Sequence, residues 1–153
     1  MKVKITNPRI MKFGLPQVQT PGSAGLDLRV LMPDDNHGGQ INLKAGDSIM
    51  LDTGISVWIE DPNLAGFMFA RSGLGAKGLV LGNGTGIIDS DYQGSLMISL
   101  YNRSKKDMTI SEGDRVAQLV IMPVISGYGI EIVTDFEVNT IRGAGGFGST
   151  GKN

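Results

Sequence analysis

The sequence contains no cysteine, a single histidine and a single tryptophan in 153 residues. The absence of cysteine excludes disulfide bonds, thiol catalysis and zinc–thiolate sites. No apolar run reaches the length that crosses a membrane, and the polar start MKVKITNPRI lacks the apolar core of a signal peptide. We therefore expect a soluble, cytoplasmic protein, located in a host cytoplasm if the chain is of viral origin, with no membrane partner.

A large charge of one sign is also missing. Lys and Arg number 14 against 15 for Asp and Glu, which gives a net charge of −1. Binding to polymeric DNA or RNA needs a basic surface, so this composition argues against such a partner and leaves a small nucleotide as the alternative.

What the chain has in excess is glycine, with 23 residues, and short apolar runs separated by Gly, Pro, Asn and Asp. This rhythm is typical of many short strands joined by tight turns. It predicts a single all-β domain, with helix confined to a turn near residues 72–77. The expected strands cover residues 3–5, 26–32, 49–51, 55–59, 67–69, 79–81, 96–101, 116–122 and 130–133.

The last dozen residues, RGAGGFGSTGKN, hold five glycines around one arginine, one aromatic ring and two hydroxyls. Glycine has the largest entropy cost of ordering, so this segment is expected to be flexible and to order only against a ligand. A guanidinium for phosphate and a ring for a base would suit a nucleotide; the alternative is an ordinary frayed end. We expect a barrel over residues 1–140 and a substrate-closing tail over residues 141–153.

The segment NGTGIIDSDYQG places Asp89 and Asp91 one residue apart after two branched aliphatic residues. If a strand continues here the two carboxylates share a face, and if a turn intervenes they diverge. Asp89 lies at the edge of apolar packing, where a carboxylate can act on a water as a general base. For Asp91, a turn-capping role is favoured.

The segment ARSGLG places Arg71 and Ser72 on a glycine-flanked corner after an apolar run, an arrangement suited to clamping a phosphate. The alternative is an arginine paired with a carboxylate at a strand end. Gln118 lies inside the apolar strand RVAQLVIM, where its amide must be paired. It is therefore either a hydrogen-bonding residue of the core or a ligand contact.

Five segments in this order, AGLDLRV, ARSGLG, GNGTGIIDSDYQG, GDRVAQLVI and RGAGGFGSTG, resemble the five motifs of the trimeric dUTP pyrophosphatase (dUTPase) family. The resemblance implies a jelly-roll-like, distorted β-barrel and a homotrimer with shared active sites. It also implies Mg²⁺-assisted hydrolysis of dUTP to dUMP and pyrophosphate. That reaction limits uracil incorporation into DNA and supplies dUMP for thymidylate synthesis.

The resemblance also implies roles for individual residues. Asp89 would activate the water that attacks the α-phosphorus, Asn83 would read the uracil edge, and Tyr92 would pack under the deoxyribose and exclude a 2′-hydroxyl. Asp27 would support the site by orienting Arg142 or a metal-bound water. No side chain would bind Mg²⁺ directly, because the ion would arrive on the triphosphate.

Two further groups would hold the substrate. The triphosphate would contact Arg71, Ser72, Gly73 and Gln118. The tail would close over the nucleotide through a ring stacked on uracil and groups that reach the terminal phosphates, namely Arg142, Phe147, Gly148, Ser149 and Thr150.

Two other functions stay open. A dCTP deaminase of the same fold would direct water at the cytosine ring, although that branch lacks the IDSDYQG segment and the arginine-led tail. A catalytically idle trimer that binds a protein partner would have no need for the acid, the arginines and the aromatic residue found here.

Overall fold

Regular secondary structure in the part of the chain that the structure describes is mostly strand. The computed structural model describes residues 1–36, 39–125, 129–136, 138 and 140–146. Helical structure in these ranges consists of two 3₁₀ segments, Pro8–Phe13 and Asp34–Asn36, and one short α-helix, α1 (Ser72–Gly75). No described helix is long and apolar enough to span a bilayer. The strands described are β1 (Lys2–Ile5), β2 (Leu26–Arg29), β3 (Gln40–Leu43), β4 (Ser48–Trp58), β5 (Leu64–Ala70), β6 (Leu79–Leu81), β7 (Gly86–Ile88), β8 (Ser95–Asn102), β9 (Met108–Ser111) and β10 (Arg115–Pro123).

Over the described residues the strands form two four-stranded sheets and one two-stranded sheet, and the ladders are antiparallel. The first sheet has the order β1-β4-β8-β6, the second has the order β2-β10-β5-β7, and β3 pairs with β9. Most neighbours in a sheet are distant in sequence, as in jelly-roll proteins. The prediction of an all-β, jelly-roll-like fold with little helix is confirmed.

One hydrophobic core lies between the two large sheets. Along β8, Leu96, Ile98 and Leu100 are buried while Met97 between them is exposed, which is the two-residue alternation of a half-buried strand. Leu28 and Leu119 enter the same cluster from β2 and β10 of the second sheet. The shared core fixes the sheets relative to each other and so gives the surface turns a rigid support.

Strand β4 is a single strand of 11 residues, whereas the sequence predicts two separate strands at 49–51 and 55–59. The polar and glycine residues that suggest a break instead form a bulge, with a register shift between Asp52 and Ser56. Gly54 has a φ of +71°, and a Cβ there would lie 2.7 Å from Leu31 Cδ1. Only glycine satisfies both constraints, so the strand bends here without ending.

The strand predicted at residues 130–133 is absent, and that prediction is wrong. Residues 130–133 have no strand structure, and Ile132 is 95% exposed. Apolar alternation indicates a strand only when a neighbouring strand is available to satisfy its backbone groups. The described residues provide no such neighbour at that position.

Candidate active site

The segment after β5 forms a sharp bend that we call the phosphate bend, residues 71–75. Arg71 has an extended backbone (φ −76°, ψ 138°) and precedes α1, and its carbonyl accepts hydrogen bonds from the N–H groups of Leu74 and Gly75 at 3.1 and 2.8 Å. Ser72 and Gly73 are exposed at the start of this turn. A Cβ on Gly73 would meet no atom within 4 Å, so packing within the chain does not require glycine there.

A carboxylate bridges two arginines beside the phosphate bend. Asp27 Oδ1 lies 2.9 Å from Arg71 Nε, and Asp27 Oδ2 lies 2.9 Å from Arg115 Nη1. Arg71 Nη1 also donates to the Arg115 carbonyl at 3.0 Å. These bonds use Nε and Nη1 of Arg71, so its Nη2 has no bond to another described residue and is available to an anion.

The two guanidiniums and a third from Arg29 line one cavity of about 380 Å³. Arg29 is held by a bond from Nη1 to the Gly113 carbonyl at 2.6 Å. Three arginines outnumber the two carboxylates of Asp114, which lines the cavity, and Asp27, which bridges Arg71 and Arg115, so the cavity carries a net positive charge. Sequence reasoning missed Arg29 and Arg115, although the arginine in GDRVAQLVI was visible as a charge at the start of an apolar strand.

Both sequence-based alternatives for Arg71 are therefore partly met, since it pairs with a carboxylate at a strand end and also faces a cavity.

The expected link between Asp27 and Arg142 stays a prediction. In the structure Arg142 is exposed and forms a turn in which Gly145 N–H donates to its carbonyl at 3.1 Å. Phe147, Gly148, Ser149 and Thr150 lie outside the described residues.

Gln118 lies next to the phosphate bend on β10. The register places it opposite Asp27 on one side and Phe69 on the other. Its Nε2 donates to the Ala70 carbonyl at 3.2 Å, so this amide has a partner within the sheet. Its Oε1 would lie 2.5 Å from a Cβ on Gly25, so a larger residue at that position would require the Gln118 amide to move.

A second set of predicted residues lies on the turn that follows β7, which we call the acid turn, residues 89–92. Tyr92 N–H donates to the Asp89 carbonyl at 3.2 Å, so a turn intervenes and Asp89 and Asp91 do not share a strand face. Asp89 is exposed, and it lines a cavity of about 230 Å³ together with Tyr92 and Met97. The Tyr92 hydroxyl donates to the Ser95 carbonyl at 3.1 Å.

Asn83 lies in the exposed turn between β6 and β7. Strand β6 belongs to the first sheet and β7 to the second. Gly84 N–H donates to the Leu81 carbonyl at 3.1 Å and closes the turn. The chain therefore passes from the first sheet to the second through the turn that contains Asn83.

The phosphate bend and the acid turn lie at opposite ends of strand β5. Ile88 pairs with Gly66 near the start of that strand, whereas Ala70, just before the bend, pairs with Ala117. Measured along β5, Asp89 and Arg71 are therefore about six residues apart, which corresponds to about 20 Å of extended strand. The two cavities share no lining residue. A single chain thus does not bring the predicted acid to the predicted phosphate ligands.

Among the described residues, no group of three or more His, Asp or Glu side chains is arranged to hold a metal ion. The fold and the two cavities define an all-β protein with a cationic cleft suited to a phosphate-bearing ligand.

The chain belongs to the dUTPase family, whose family model matches residues 11–151. The deoxyuridine 5′-triphosphate nucleotidohydrolase of Haemophilus ducreyi is 55% identical over 98% of this chain and 95% of its own length. The protein of the same name from Pseudomonas fluorescens is 50% identical over 99% and 97%. Among solved structures, the dUTPase of Staphylococcus bacteriophage 80alpha with dUPNHPP has 25% identity, covers 99% of this chain and 98% of its own, and superposes with a TM-score of 0.79.

Proposed function

We propose that this protein hydrolyses dUTP to dUMP and pyrophosphate, and so limits uracil incorporation into DNA while supplying dUMP for thymidylate synthesis. The observation that carries the proposal is the bridge from Asp27 to Arg71 and Arg115, which orients two cations at an exposed bend. Family membership and relatives named for this activity support the identity of the nucleotide.

The phosphate bend is suited to a triphosphate because its cations are fixed before the ligand arrives. Arg71 offers its Nη2 end, while Ser72 and Gly73 offer exposed backbone and hydroxyl groups. Gln118 completes this set from the neighbouring strand. Fixed donors neutralise charge that develops on phosphate oxygens without having to reorganise, which is the main requirement in phosphoryl chemistry.

Asp89 is the proposed general base. It would remove a proton from a water as the water oxygen bonds to the α-phosphorus. The bond from the α-phosphorus to the oxygen that bridges to the β-phosphorus breaks, and pyrophosphate leaves. Its exposed position on the acid turn leaves space for water beside the carboxylate. Tyr92 in the same cavity would face the deoxyribose, and Asn83 would read the uracil edge.

We propose a homotrimer in which each site is shared between chains. The separation of about 20 Å between the acid turn and the phosphate bend supports this, because one triphosphate ester cannot contact both ends of β5. Large apolar side chains left uncovered in one chain support it too. Ile125 is 97% exposed, Phe136 is 83% exposed, and Trp58 on β4 is 39% exposed. Exposed apolar groups in this number are typical of an interface.

Mg²⁺ is the proposed cofactor, bound to the triphosphate. Such an ion keeps several waters and is normally held by phosphates plus few protein groups. When bound, it supplies charge neutralisation on the phosphate oxygens. The tail is proposed to close over the nucleotide through Arg142, Phe147, Gly148, Ser149 and Thr150. The expected location is the cytoplasm, where free nucleotides are available.

The test is a substrate comparison with two readouts. The purified protein is mixed with dUTP, dCTP or dTTP in Mg²⁺, and pyrophosphate and ammonia are measured separately; EDTA provides the metal-free control. We expect pyrophosphate from dUTP and little from the other two nucleotides. Ammonia from dCTP without pyrophosphate from dUTP would favour a deaminase, and no product from any nucleotide would favour a binding module.

A further inference from the structure

A chain of hydrogen-bonded side chains begins at Ser95, which lines the Tyr92 cavity. Ser95 Oγ donates to Asp52 Oδ1 at 2.6 Å, and Thr6 Oγ1 lies 3.0 Å from Ser95 Oγ. A serine hydroxyl has one proton, so with that proton directed to Asp52 the Thr6 hydroxyl is the donor of the second bond. Asp52 Oδ1 also accepts from the Gly54 N–H at 3.0 Å. The hydrogen bonds therefore run from Thr6 to Ser95 to Asp52, and the Gly54 N–H helps to hold the Asp52 carboxylate in place.

These side chains lie where the backbone ladder is interrupted. Strands β4 and β8 pair Asp52 with Met97 and then Ser56 with Ser95, with the β4 bulge between the two pairs. In that gap the bonds come from side chains: Asp52 holds the Ser95 hydroxyl, and Thr53 Oγ1 donates to the next carbonyl of β8 at 2.8 Å. The first residue of β8, Ser95, is thus held both by its pairing with Ser56 and by the side chain of Asp52.

The position of Tyr92 depends in turn on Ser95. The Tyr92 hydroxyl donates to the Ser95 carbonyl at 3.1 Å. A Cβ on Gly94 would lie 2.4 Å from the Tyr92 hydroxyl oxygen, so the ring lies directly against the backbone at Gly94. Tyr92 is 43% exposed, which means that core packing does not hold it. The tyrosine ring is fixed mainly by its contact with the backbone at residues 94 and 95.

We propose that the Asp52–Ser95 pair is a positioning element that sets the preference for deoxyribose over ribose, by holding Tyr92 against the sugar. This inference rests on the proposed function. A binding pocket discriminates poorly against a ligand with one added hydroxyl when the side chains that line it can move, so exclusion of a 2′-hydroxyl needs a rigidly held Tyr92 ring. The Asp52–Ser95 pair connects Tyr92 to the bulge of β4, which belongs to the core of the fold.

The experiment measures kcat/KM for dUTP and for UTP in the full-length protein. In Ser95→Ala and in Asp52→Ala we expect the ratio of UTP to dUTP to rise about tenfold, the usual effect of losing a hydrogen bond to a charged group. Asp52→Asn keeps an oxygen acceptor and should restore most of the wild-type ratio. The double variant Ser95→Ala with Asp52→Ala should show no larger change than either single one, because both break the same connection.

Thr53→Val is the matched control. It removes a hydroxyl from the same bulge and the same strand pair, but its shortest bond goes to the Leu96 carbonyl, and it shares with Ser95 only the Ile55 carbonyl, which lies 3.3 Å from Thr53 Oγ1 and 3.4 Å from Ser95 Oγ. We expect lower stability with an unchanged ratio of UTP to dUTP. If Thr53→Val changes that ratio as much as Ser95→Ala does, general loosening of the bulge explains the effect and the proposal is overturned.

A second readout is independent of catalysis. The chain has three tyrosines, so 3-fluorotyrosine labelling gives a ¹⁹F spectrum in which Tyr92→Phe identifies the Tyr92 signal. We expect that signal to shift or broaden in Ser95→Ala and not in Thr53→Val. An unchanged signal together with an unchanged nucleotide ratio would overturn the proposal. If wild-type protein hydrolyses neither nucleotide, the proposed function fails, while the ¹⁹F result still reports whether the pair positions Tyr92.

Discussion

Replacing Asp27 with asparagine tests the arginine bridge directly, since it removes a charge with almost no change in shape. The carboxylate is 12% exposed and accepts from Arg71 and Arg115 at 2.9 Å each. An asparagine can accept from only one of the two guanidiniums and presents an N–H₂ group to the other. One charge-assisted bond is therefore lost and the other becomes weaker.

The size of the effect follows from burial. Loss of a bond to a charged group costs about 1.5–3 kcal/mol, and the partial exposure of both arginine side chains, 32% and 35%, reduces that value. We expect the free energy of unfolding of Asp27→Asn to fall by about 2 kcal/mol, with an unchanged denaturant slope in urea. The KM for dUTP should rise because Arg71 is no longer oriented toward the phosphate bend.

The control for this experiment is Asp114→Asn. Asp114 lines the same cavity but is exposed and accepts from the Ser111 N–H, a bond that asparagine retains. Its free energy of unfolding should change by no more than about 0.5 kcal/mol. If Asp27→Asn matches this control in both stability and KM, the bridge does not orient the cations and the reasoning fails.

Two further predictions concern the acid and the tail. Asp89→Asn should lower kcat about a thousandfold, within the range that a general base contributes, while calorimetry should show dUTP affinity largely retained; normal turnover would remove Asp89 from its role. A chain truncated after Thr140 should keep its oligomeric state in light scattering but lose most hydrolysis, because the proposed closing groups are gone. Full activity of the truncated chain would contradict closure by the tail.

Much of the fold could be predicted because local pattern and tertiary structure agree. Around Ile98, for example, the apolar residues at alternate positions of the predicted strand are buried in the core. The prediction failed where no described strand lies beside the apolar segment, as at residues 130–133, or where one glycine converts a break into a bulge, as at Gly54. Those outcomes depend on what lies next to the segment, which short-range sequence does not contain.

The candidate site shows the same limit. Motif order brought out Arg71 and Asp89 as the residues most suited to the chemistry. It did not reveal that Asp27 bridges to Arg115, because that bridge depends on the register between β2 and β10. Nor did it reveal the connection from Asp52 to Ser95, which crosses 43 residues of sequence and exists only because the β4 bulge brings the two side chains together.

The central claim is that the acid and the phosphate ligands of one site come from different chains, and a mixing experiment tests it most directly. Asp89→Asn and Arg71→Ala are each expected to be nearly inactive alone. They are unfolded together, refolded as a one-to-one mixture and assayed with dUTP. In a ring of identical contacts with random mixing, about a quarter of the sites receive an intact Asp89 from one chain and an intact Arg71 from its neighbour. We predict recovery of about a quarter of the wild-type activity; a mixture as inactive as its components would contradict the account.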